Sequence, residues 1–135
     1  MIEFRYGELT TDGLTSRNRA EVHAALDADL VLAEDGRELY SEVQFPVVQV
    51  LAALREWQRD RGVFEFWEPS FVRDRWGVRF RPVGDGWQLV NDDEDPVVTS
   101  SVLATADLDA AIDDFGARLR VSCVARLGEW ITEFV

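Results

Sequence analysis

The sequence contains few of the residues from which catalytic and metal sites are usually built. Among its 135 residues there are one cysteine, one histidine and no lysine. The only histidine is His23, and the GxSxG, Walker, HExxH, GxGxxG and paired CxxC motifs are all missing. A single cysteine cannot form an internal disulfide, and Cys123 lies in the apolar stretch VSCVARL, which favours a buried and inert thiol. We therefore expect no catalytic residues, no cofactor and no metal centre.

Long apolar runs are also missing. No stretch approaches the length needed to span a bilayer, and the first residues, MIEFRYGEL, lack the basic and apolar regions of a signal peptide. These absences predict a cytoplasmic protein that has no membrane partner. All fourteen basic residues are arginines, and Ala, Asp, Val and Gly are plentiful, which is typical of a GC-rich bacterial genome.

Acidic residues dominate the charge. The chain carries 26 Asp and Glu against 14 Arg, a formal net charge of −12. A strongly negative surface repels nucleic acid and anionic membranes, and it attracts basic proteins over long distances. The charge therefore predicts a partner protein with a basic surface and no nucleic-acid partner, although solubility alone would also explain it.

Alternating hydrophobicity predicts a long hairpin in the first third of the chain. Apolar residues recur at period two from Glu21 onwards, the pattern of a half-buried strand. Asp35-Gly36 is typical of a two-residue hairpin turn, after which a second strand returns through Phe45. In the register that this turn sets, Asp29 lies directly opposite Glu42. The apolar members of the first strand are Val22, Ala24, Leu26, Ala28, Leu30 and Leu32.

Two helices and several shorter strands complete the predicted fold. Helical spacing of apolar residues predicts one helix from Pro46 to Gly62, and another that begins with Thr105 as its N-cap and ends at Gly128. Further strands are predicted at IEFRYGEL, VFEFW, RWGVRFRPV, GWQLV and, as an edge strand, VVTSSVLAT. The order β-β-β-α-β-β-β-(β)-α is an α+β pattern, with one antiparallel sheet of about six or seven strands and two helices packed on one face. The length fits a single domain over residues 1–135.

The predicted hairpin brings carboxylates together on its polar face. Period two places His23, Asp27 and Asp29 on that face, and the register places Glu42 opposite Asp29. Three explanations stay open: a solvated sheet face, a patch that binds basic side chains of a partner, and a divalent-cation or acid–base site. Each functional explanation depends on this register, because a shift by one position would remove the cluster.

Other candidate contact residues lie in an acidic loop and among the tryptophans. Asp92, Asp93 and Glu94 belong to the loop NDDEDP, which lacks the spaced ligands and the turn glycine of an EF-hand and is expected to be exposed. Trp67 follows VFEF on the opposite pleat face, and an exposed tryptophan beside acidic residues would be a strong interface anchor. Four arginines share one face of a predicted strand, where we expect them to pair with carboxylates of neighbouring strands: Arg73, Arg75, Arg79 and Arg81.

Four segments carry a resemblance to known families. In order between positions 21 and 120, YSEVQFPVVQVLAALREW, VFEFWEPS, GDGWQLV and LDAAIDDFGARLR resemble small bacterial families of unknown activity and the immunity proteins that neutralise toxins in polymorphic-toxin systems. Such immunity proteins are short, often acidic and non-enzymatic, and they block a frequently basic toxin. The resemblance implies a protein-binding inhibitor, but it carries over no binding residues. The charge and aromatic patterns suggest the contact residues, which are Asp27, Asp29, Glu42, Trp67, Asp92, Asp93 and Glu94.

Two other functions fit the same sequence. One is a small enzyme, or a ligand- or metal-binding domain, with a carboxylate-lined cleft between the sheet and the second predicted helix. The other is an accessory module that self-associates through an exposed sheet edge or helix face.

Overall fold

Helices and antiparallel sheets alternate along the chain. The computed structural model describes residues 1–66 and 77–135, and within these ranges lie one sheet of three strands, one of four strands and three helices. The α+β class is confirmed, whereas the single sheet and the pair of helices were wrong. None of the helices in the described ranges has the length and apolar character that crossing a bilayer requires. The elements are β1 (Ile2–Tyr6), α1 (Arg19–Ala25), β2 (Asp27–Glu34), β3 (Arg37–Pro46), α2 (Val47–Asp60), β4 (Val78–Val83), β5 (Gly86–Asn91), β6 (Val98–Thr99), β7 (Leu103–Ala104), α3 (Thr105–Leu127) and a short 3-10 helix (Glu129–Glu133).

The first departure from the prediction is α1, which forms where a strand was expected. Asn18 caps this helix, because its side-chain oxygen accepts a hydrogen bond from the backbone N–H of Glu21 at 2.9 Å. Val22 and Leu26 are fully buried, whereas Ala24 between them is exposed. The apolar residues therefore follow the four-residue spacing of a helix and not the alternation of a strand.

The predicted hairpin forms between β2 and β3, but its register changes along its length. Both residues of the Asp35-Gly36 turn have positive φ, 50° and 83°, as a tight hairpin turn requires. The predicted register holds as far as the pair Ala33 and Glu38. Beyond that pair Leu32 lies opposite Tyr40, because β3 contains one extra residue, and a second shift follows between Leu30 and Ala28, so that Ala28 lies opposite Phe45. Such a bulge moves every later partner by one position.

The second sheet is built around β5. β4 and β5 form the predicted hairpin, and the predicted edge strand is split into β6 and β7, which both pair with β5. Ser100 separates them: its hydroxyl accepts a hydrogen bond from the backbone N–H of Leu89, and its own N–H donates to the Leu89 carbonyl, both at 2.9 Å. The predicted strand VFEFW is represented in the described residues 63–66 by a single bridge between Phe64 and Phe80.

Helices α2 and α3 pack against the strands through their apolar faces. α2 follows Pro46 as predicted and ends where Arg61-Gly62 takes positive φ angles. Thr105 was predicted as the N-cap of α3, but it is the first helical residue and Ala104 is the N-cap. The Thr105 hydroxyl accepts a hydrogen bond from the indole N–H of Trp87 at 3.0 Å. The predicted apolar stripes are buried: Val47, Val50, Leu51, Leu54 and Trp57 on α2, and Leu108, Ile112, Phe115, Leu119 and Cys123 on α3.

α3 contacts strands of both sheets. The ring of Phe115 stacks on that of Phe4 in β1, with centroids 5.5 Å apart, and the same helix also contacts β5 and β7. On its other side, Asp109 accepts two hydrogen bonds of 2.8 Å from Arg61 at the end of α2. Because α3 reaches all of these elements, the two sheets share one hydrophobic core.

Candidate functional site

The predicted acidic cluster on the first hairpin is not assembled as expected. Glu42 pairs with Leu30 and not with Asp29. Partners in an antiparallel ladder project to the same face, and neighbours along a strand project to opposite faces, so the register puts Glu42 and Asp29 on opposite faces. His23 is also removed from the cluster, because it lies on α1. The predicted opposition of two carboxylates was therefore wrong.

Asp29 has a structural role in the hairpin. Its carboxylate accepts a hydrogen bond of 3.1 Å from the backbone N–H of Gln44, where β3 bulges and Gln44 has a φ of 52°. A positive φ is uncommon outside glycine, so this bond supports a strained bend. Glu42 accepts a hydrogen bond of 3.2 Å from the N–H of Val43, and Asp27 is half-buried at the start of β2. Contact of these carboxylates with a partner stays a prediction, although the acidic cluster that suggested it is not formed.

The loop NDDEDP is a turn, and parts of it are engaged within the chain. Asp92 forms an ion pair of 2.7 Å with Arg79. The carboxylate of Asp93 lies against Gly77, where a Cβ atom would come within 2.0 Å of a carboxylate oxygen. Glu94 is exposed. The loop thus presents negative charge to solvent while Asp92 and Asp93 hold it against the second sheet.

Some predicted residues fall between the two described ranges. Trp67 lies outside the described residues, as do Arg73 and Arg75. For the rest of the arginine stripe, pairing with a carboxylate is confirmed for Arg79, whereas Arg81 donates to the side-chain oxygen of Gln88.

Many arginines of the described residues contact aromatic rings or carboxylates of the same chain. Arg17 and Arg19 lie over the rings of Trp130 and Phe134, at 4.6 and 5.5 Å from the ring centroids. Seven arginines in residues 1–66 and 77–135 lie within ion-pair distance of a carboxylate: Arg5, Arg37, Arg55, Arg61, Arg79, Arg118 and Arg126. Because the 26 acidic residues outnumber the 14 arginines, ion pairing within the chain cannot neutralise all of the carboxylates.

A groove with a volume of about 770 Å³ lies between β1, residues 101–103 and α3. Ala110 and Ala111 leave this space open, because their side chains are the smallest on that face of α3. Ile2 and Leu103 add apolar surface. The groove is also strongly charged, with five carboxylates, two guanidinium groups and the Met1 ammonium, which pairs with Asp35, in its lining: Glu3, Glu34, Asp35, Asp107, Asp114, Arg5, Arg118 and Met1.

Glu34 is the buried carboxylate of the groove, and it joins the two sheets. Its side chain accepts hydrogen bonds from the hydroxyl of Ser101 and, at 2.9 Å, from the backbone N–H of Ser101, and it lies 3.4 Å from the guanidinium of Arg37. Burial by itself would raise the pKa of this carboxyl, but the hydrogen bonds from Ser101 and Arg37 hold the pKa below its ordinary value. Glu34 is therefore ionised at neutral pH and unsuited to act as a general acid. Within the described residues, no three His, Cys, Asp or Glu side chains are grouped so as to hold a metal ion.

The backbone of β1 forms one side of the groove and is an edge of the first sheet. The strand order is β1-β2-β3, so among the described strands only β2 pairs with β1. Met1 accepts a hydrogen bond from Asp35, and Gly7 donates one to Asp29. In an antiparallel ladder the bonded residues alternate, so the odd-numbered residues of β1 are those bonded to β2.

The even-numbered residues of β1 consequently turn their backbone groups away from β2. These are Ile2, Phe4 and Tyr6. One of the outward groups has a partner within the chain, because the guanidinium of Arg118 donates to the Phe4 carbonyl at 2.6 Å and also pairs with Asp114 at 2.8 Å. A guanidinium group of the chain itself thus bonds to an outward carbonyl of β1.

The groove was predicted only in outline, as a cleft between the sheet and the second predicted helix. Its residues were missed, although α3 carries a recognisable signal. Small and charged residues recur along α3 at intervals of three or four, so they share one face of the helix: Asp107, Ala110, Asp114 and Arg118. This face does not include the buried apolar stripe of α3. An alanine between two carboxylates on a solvent-facing side of a helix indicates a shallow, charged surface.

Comparison with models of known protein families, with curated proteins and with solved structures finds no match to this chain.

Proposed function

We propose that this chain is a non-enzymatic, immunity-protein-like inhibitor that binds a basic partner protein, such as a toxin, through its acidic surface. One observation carries the proposal: seven arginines of the described ranges are paired within the chain, whereas the net charge is −12. These arginines are neutralised by carboxylates of the same chain, so the excess of acidic residues gives the surface its negative charge. A surface of this kind favours a cationic protein and disfavours nucleic acid.

The physical consequence of this surface is fast, salt-sensitive association. Complementary charges raise the rate of encounter by about 10- to 1,000-fold, and this gain falls steeply with ionic strength. The Debye length is about 30 Å at 0.01 M salt and about 8 Å at 0.15 M. The association rate should therefore fall by at least about tenfold between these two concentrations.

The test uses the purified product of the reading frame next to this gene as the partner. Association rates are measured by stopped-flow fluorescence at both salt concentrations, and inhibition is measured as loss of the partner's activity at a one-to-one ratio. Absence of binding at the lower salt concentration, or tight binding without salt dependence, would contradict the proposal.

A pair of variants separates the acidic loop from the general charge. Glu94→Arg with Asp95→Arg reverses two exposed carboxylates of the loop. Glu129→Arg with Glu133→Arg makes the same change of net charge at two exposed positions of the short 3-10 helix. We expect the first variant to slow association more than the second. Equal effects would show that only net charge matters and would remove the loop from the contact.

A second candidate function is a domain that binds a small cationic molecule. The groove favours it, because its volume of about 770 Å³ falls within the usual range of ligand pockets and its lining has five carboxylates against two guanidinium groups and the Met1 ammonium. A polyamine such as spermidine would then raise the melting temperature more than sodium chloride of the same ionic strength. Equal shifts with the two additives would exclude this candidate.

A further inference from the structure

We propose that helix α1 is an acid-sensitive switch, which stays packed while His23 is neutral and detaches from the core when His23 takes up a proton. This inference goes beyond the proposed function and does not depend on it. It stands on three features: a buried ring nitrogen without a hydrogen-bond partner, a cation on the same helix, and a helix that is too short to be stable alone.

The first feature is the Nε2 atom of His23, which is buried and has no hydrogen-bond partner among the described residues. A neutral imidazole has one N–H donor and one acceptor nitrogen, so Nε2 can stay unprotonated while the hydrogen is on Nδ1. In imidazolium both nitrogens carry a hydrogen. Protonation of the packed helix would therefore bury a charged N–H without an acceptor, which costs far more than a neutral unpaired nitrogen.

The second feature is a positive charge on the same helix. Arg19 lies one turn before His23, and its guanidinium is held over the ring of Phe134, 5.5 Å from the ring centroid. Burial, and after it the charge of Arg19, lower the pKa of His23 from its ordinary value of 6.5. The dipole of this seven-residue helix favours a cation in its last turn, where His23 lies, but this effect is weaker than the burial of an unpaired charge.

The other charged groups around α1 do not offset the charge of Arg19. α1 packs against α2 and β3, and Arg19 is the one charged group among the described residues that shifts the pKa of His23. None of the nearby carboxylates raises this pKa, so none holds the protonated form in place. The charged groups of α1 and of the elements around it are Arg19, Glu21, Asp27, Arg37, Glu38, Glu42, Arg55, Glu56, Arg59, Asp60, Glu129 and Glu133.

The third feature is the length of α1. A helix of seven residues is far too short to be stable alone in water, so α1 depends on its Asn18 cap and on its packing. Val22 and Leu26 provide that packing, and both are fully buried. Short elements of this kind open locally at a lower cost than global unfolding. Opening of α1 gives the His23 ring access to water and uncovers the apolar surface that Val22 and Leu26 cover.

The direction of the effect follows from the lowered pKa. Because the packed helix binds this proton less readily than the detached helix, its stabilisation is complete above pH 6.5 and is lost as the pH falls through 6.5 toward the lowered pKa. Between pH 7 and pH 5, the equilibrium constant for opening α1 rises by at most about 25-fold, the limit for a group whose pKa is 6.5 in the open state. Histidine is the side chain that ordinarily titrates in this range, and His23 is the only histidine of the chain.

NMR of the wild-type protein tests the switch directly. The ring resonances of His23 should titrate below pH 6.5. Amide exchange at Val22, whose N–H donates to the Asn18 carbonyl at 3.0 Å, should lose protection by about 3- to 25-fold between pH 7 and pH 5. Low urea concentrations should not change exchange at Val22 but should accelerate it at Leu119 in the core of α3, because only a local opening exposes little surface. A titration at or above pH 6.5, constant protection, or the same urea dependence at both amides would overturn the proposal.

Three variants test the roles of His23 and Arg19. His23→Gln cannot take up the proton, so the pH dependence of protection at Val22 should disappear. Arg19→Gln and Arg17→Gln each remove a guanidinium that lies over an aromatic ring, but only Arg19 belongs to α1. The pKa of His23 should rise in Arg19→Gln and stay at the wild-type value in Arg17→Gln. Persistent pH dependence in His23→Gln, or equal pKa values in the two arginine variants, would show that another group drives the opening and would overturn the proposal.

Discussion

Replacing Glu34 by glutamine should destabilise the protein, because it removes the charged acceptor that joins the two sheets. Glu34 is only 8% exposed. Its two carboxylate oxygens accept two hydrogen bonds from Ser101 and lie near Arg37. The glutamine in Glu34→Gln has one acceptor oxygen, and its NH₂ group would face a donor that the carboxylate now satisfies.

The expected cost follows from these contacts. Hydrogen bonds to charged groups contribute about 1.5–3 kcal/mol each, and glutamine keeps one weaker, neutral bond. We therefore expect Glu34→Gln to lower the free energy of unfolding by about 2 kcal/mol at neutral pH. For a chain of this length, the melting temperature should fall by roughly 6 °C. Glu3→Gln is the control, because Glu3 and its partner Arg5 are about half exposed, and its cost should not exceed about 0.5 kcal/mol.

The pH dependence gives a second check with a definite sign. Because folding lowers the pKa of Glu34 from its ordinary value of 4.5, the folded state binds this proton less readily than the unfolded state. Its stabilisation is complete above pH 4.5 and is lost as the pH falls through the lowered folded pKa. Urea unfolding of both proteins from pH 7 to pH 3 should show the difference narrowing only below about pH 4.5. A variant as stable as wild type at pH 7, or a difference that is constant across the range, would refute the reasoning.

Two further predictions concern a buried thiol and a close backbone contact. Burial raises the pKa of Cys123 to about 11, so the native protein should react with a thiol reagent only after unfolding in urea; rapid labelling of the folded protein would contradict this. In Gly86→Ala the new Cβ would lie 2.5 Å from the Leu103 carbonyl oxygen, so β7 should separate from β5 at a cost of about 1–3 kcal/mol in urea unfolding. Gly7→Ala, whose nearest neighbour is 3.7 Å away, is the control, and equal stability of the two variants would contradict the contact.

The sequence predicted the fold best where the signals were local and agreed with one another. The Asp35-Gly36 turn, the apolar stripes of α2 and α3, and Gly128 as the end of α3 were all confirmed. The mistake at α1 arose because Val22 and Leu26 fit both the period of a strand and the four-residue spacing of a helix, and Ala24 between them completed the strand pattern. Asn18 and Glu21, three residues apart, were the helix-start signal that would have decided between them.

The register of the first hairpin could not be predicted from the turn alone. A bulge adds one residue at small energetic cost and leaves the hydrophobic pattern almost unchanged, so β3 accommodates it without a visible sequence mark. Gln44 with its positive φ is such a position, and only the carboxylate of Asp29, fifteen residues earlier, shows how the bend is held. The predicted acidic cluster was lost to the earlier bulge, at Leu39, which places Glu42 opposite Leu30 and no longer opposite Asp29.

The groove was beyond sequence reasoning for a different reason. It depends on the meeting of β1 with residues 101–103 and α3, which are separated by most of the chain. Periodicity shows which face of α3 is buried, but it does not show which strand lies beside the uncovered face. The position of β1 at the edge of the first sheet likewise depends on the strand order, which hydrophobic patterns do not determine.

The contact between α3 and β1 has a consequence for the newly made polypeptide. Ribosomes synthesise β1 long before α3, so Phe4 cannot meet Phe115 until nearly all of the described domain has emerged. The β2–β3 and β4–β5 hairpins join neighbouring segments and should form earlier, with their apolar sides uncovered. Uncovered sheets of this kind tend to aggregate, and mutual repulsion of chains with a net charge of −12 opposes it. The acidic composition would then protect the nascent chain before it serves any partner.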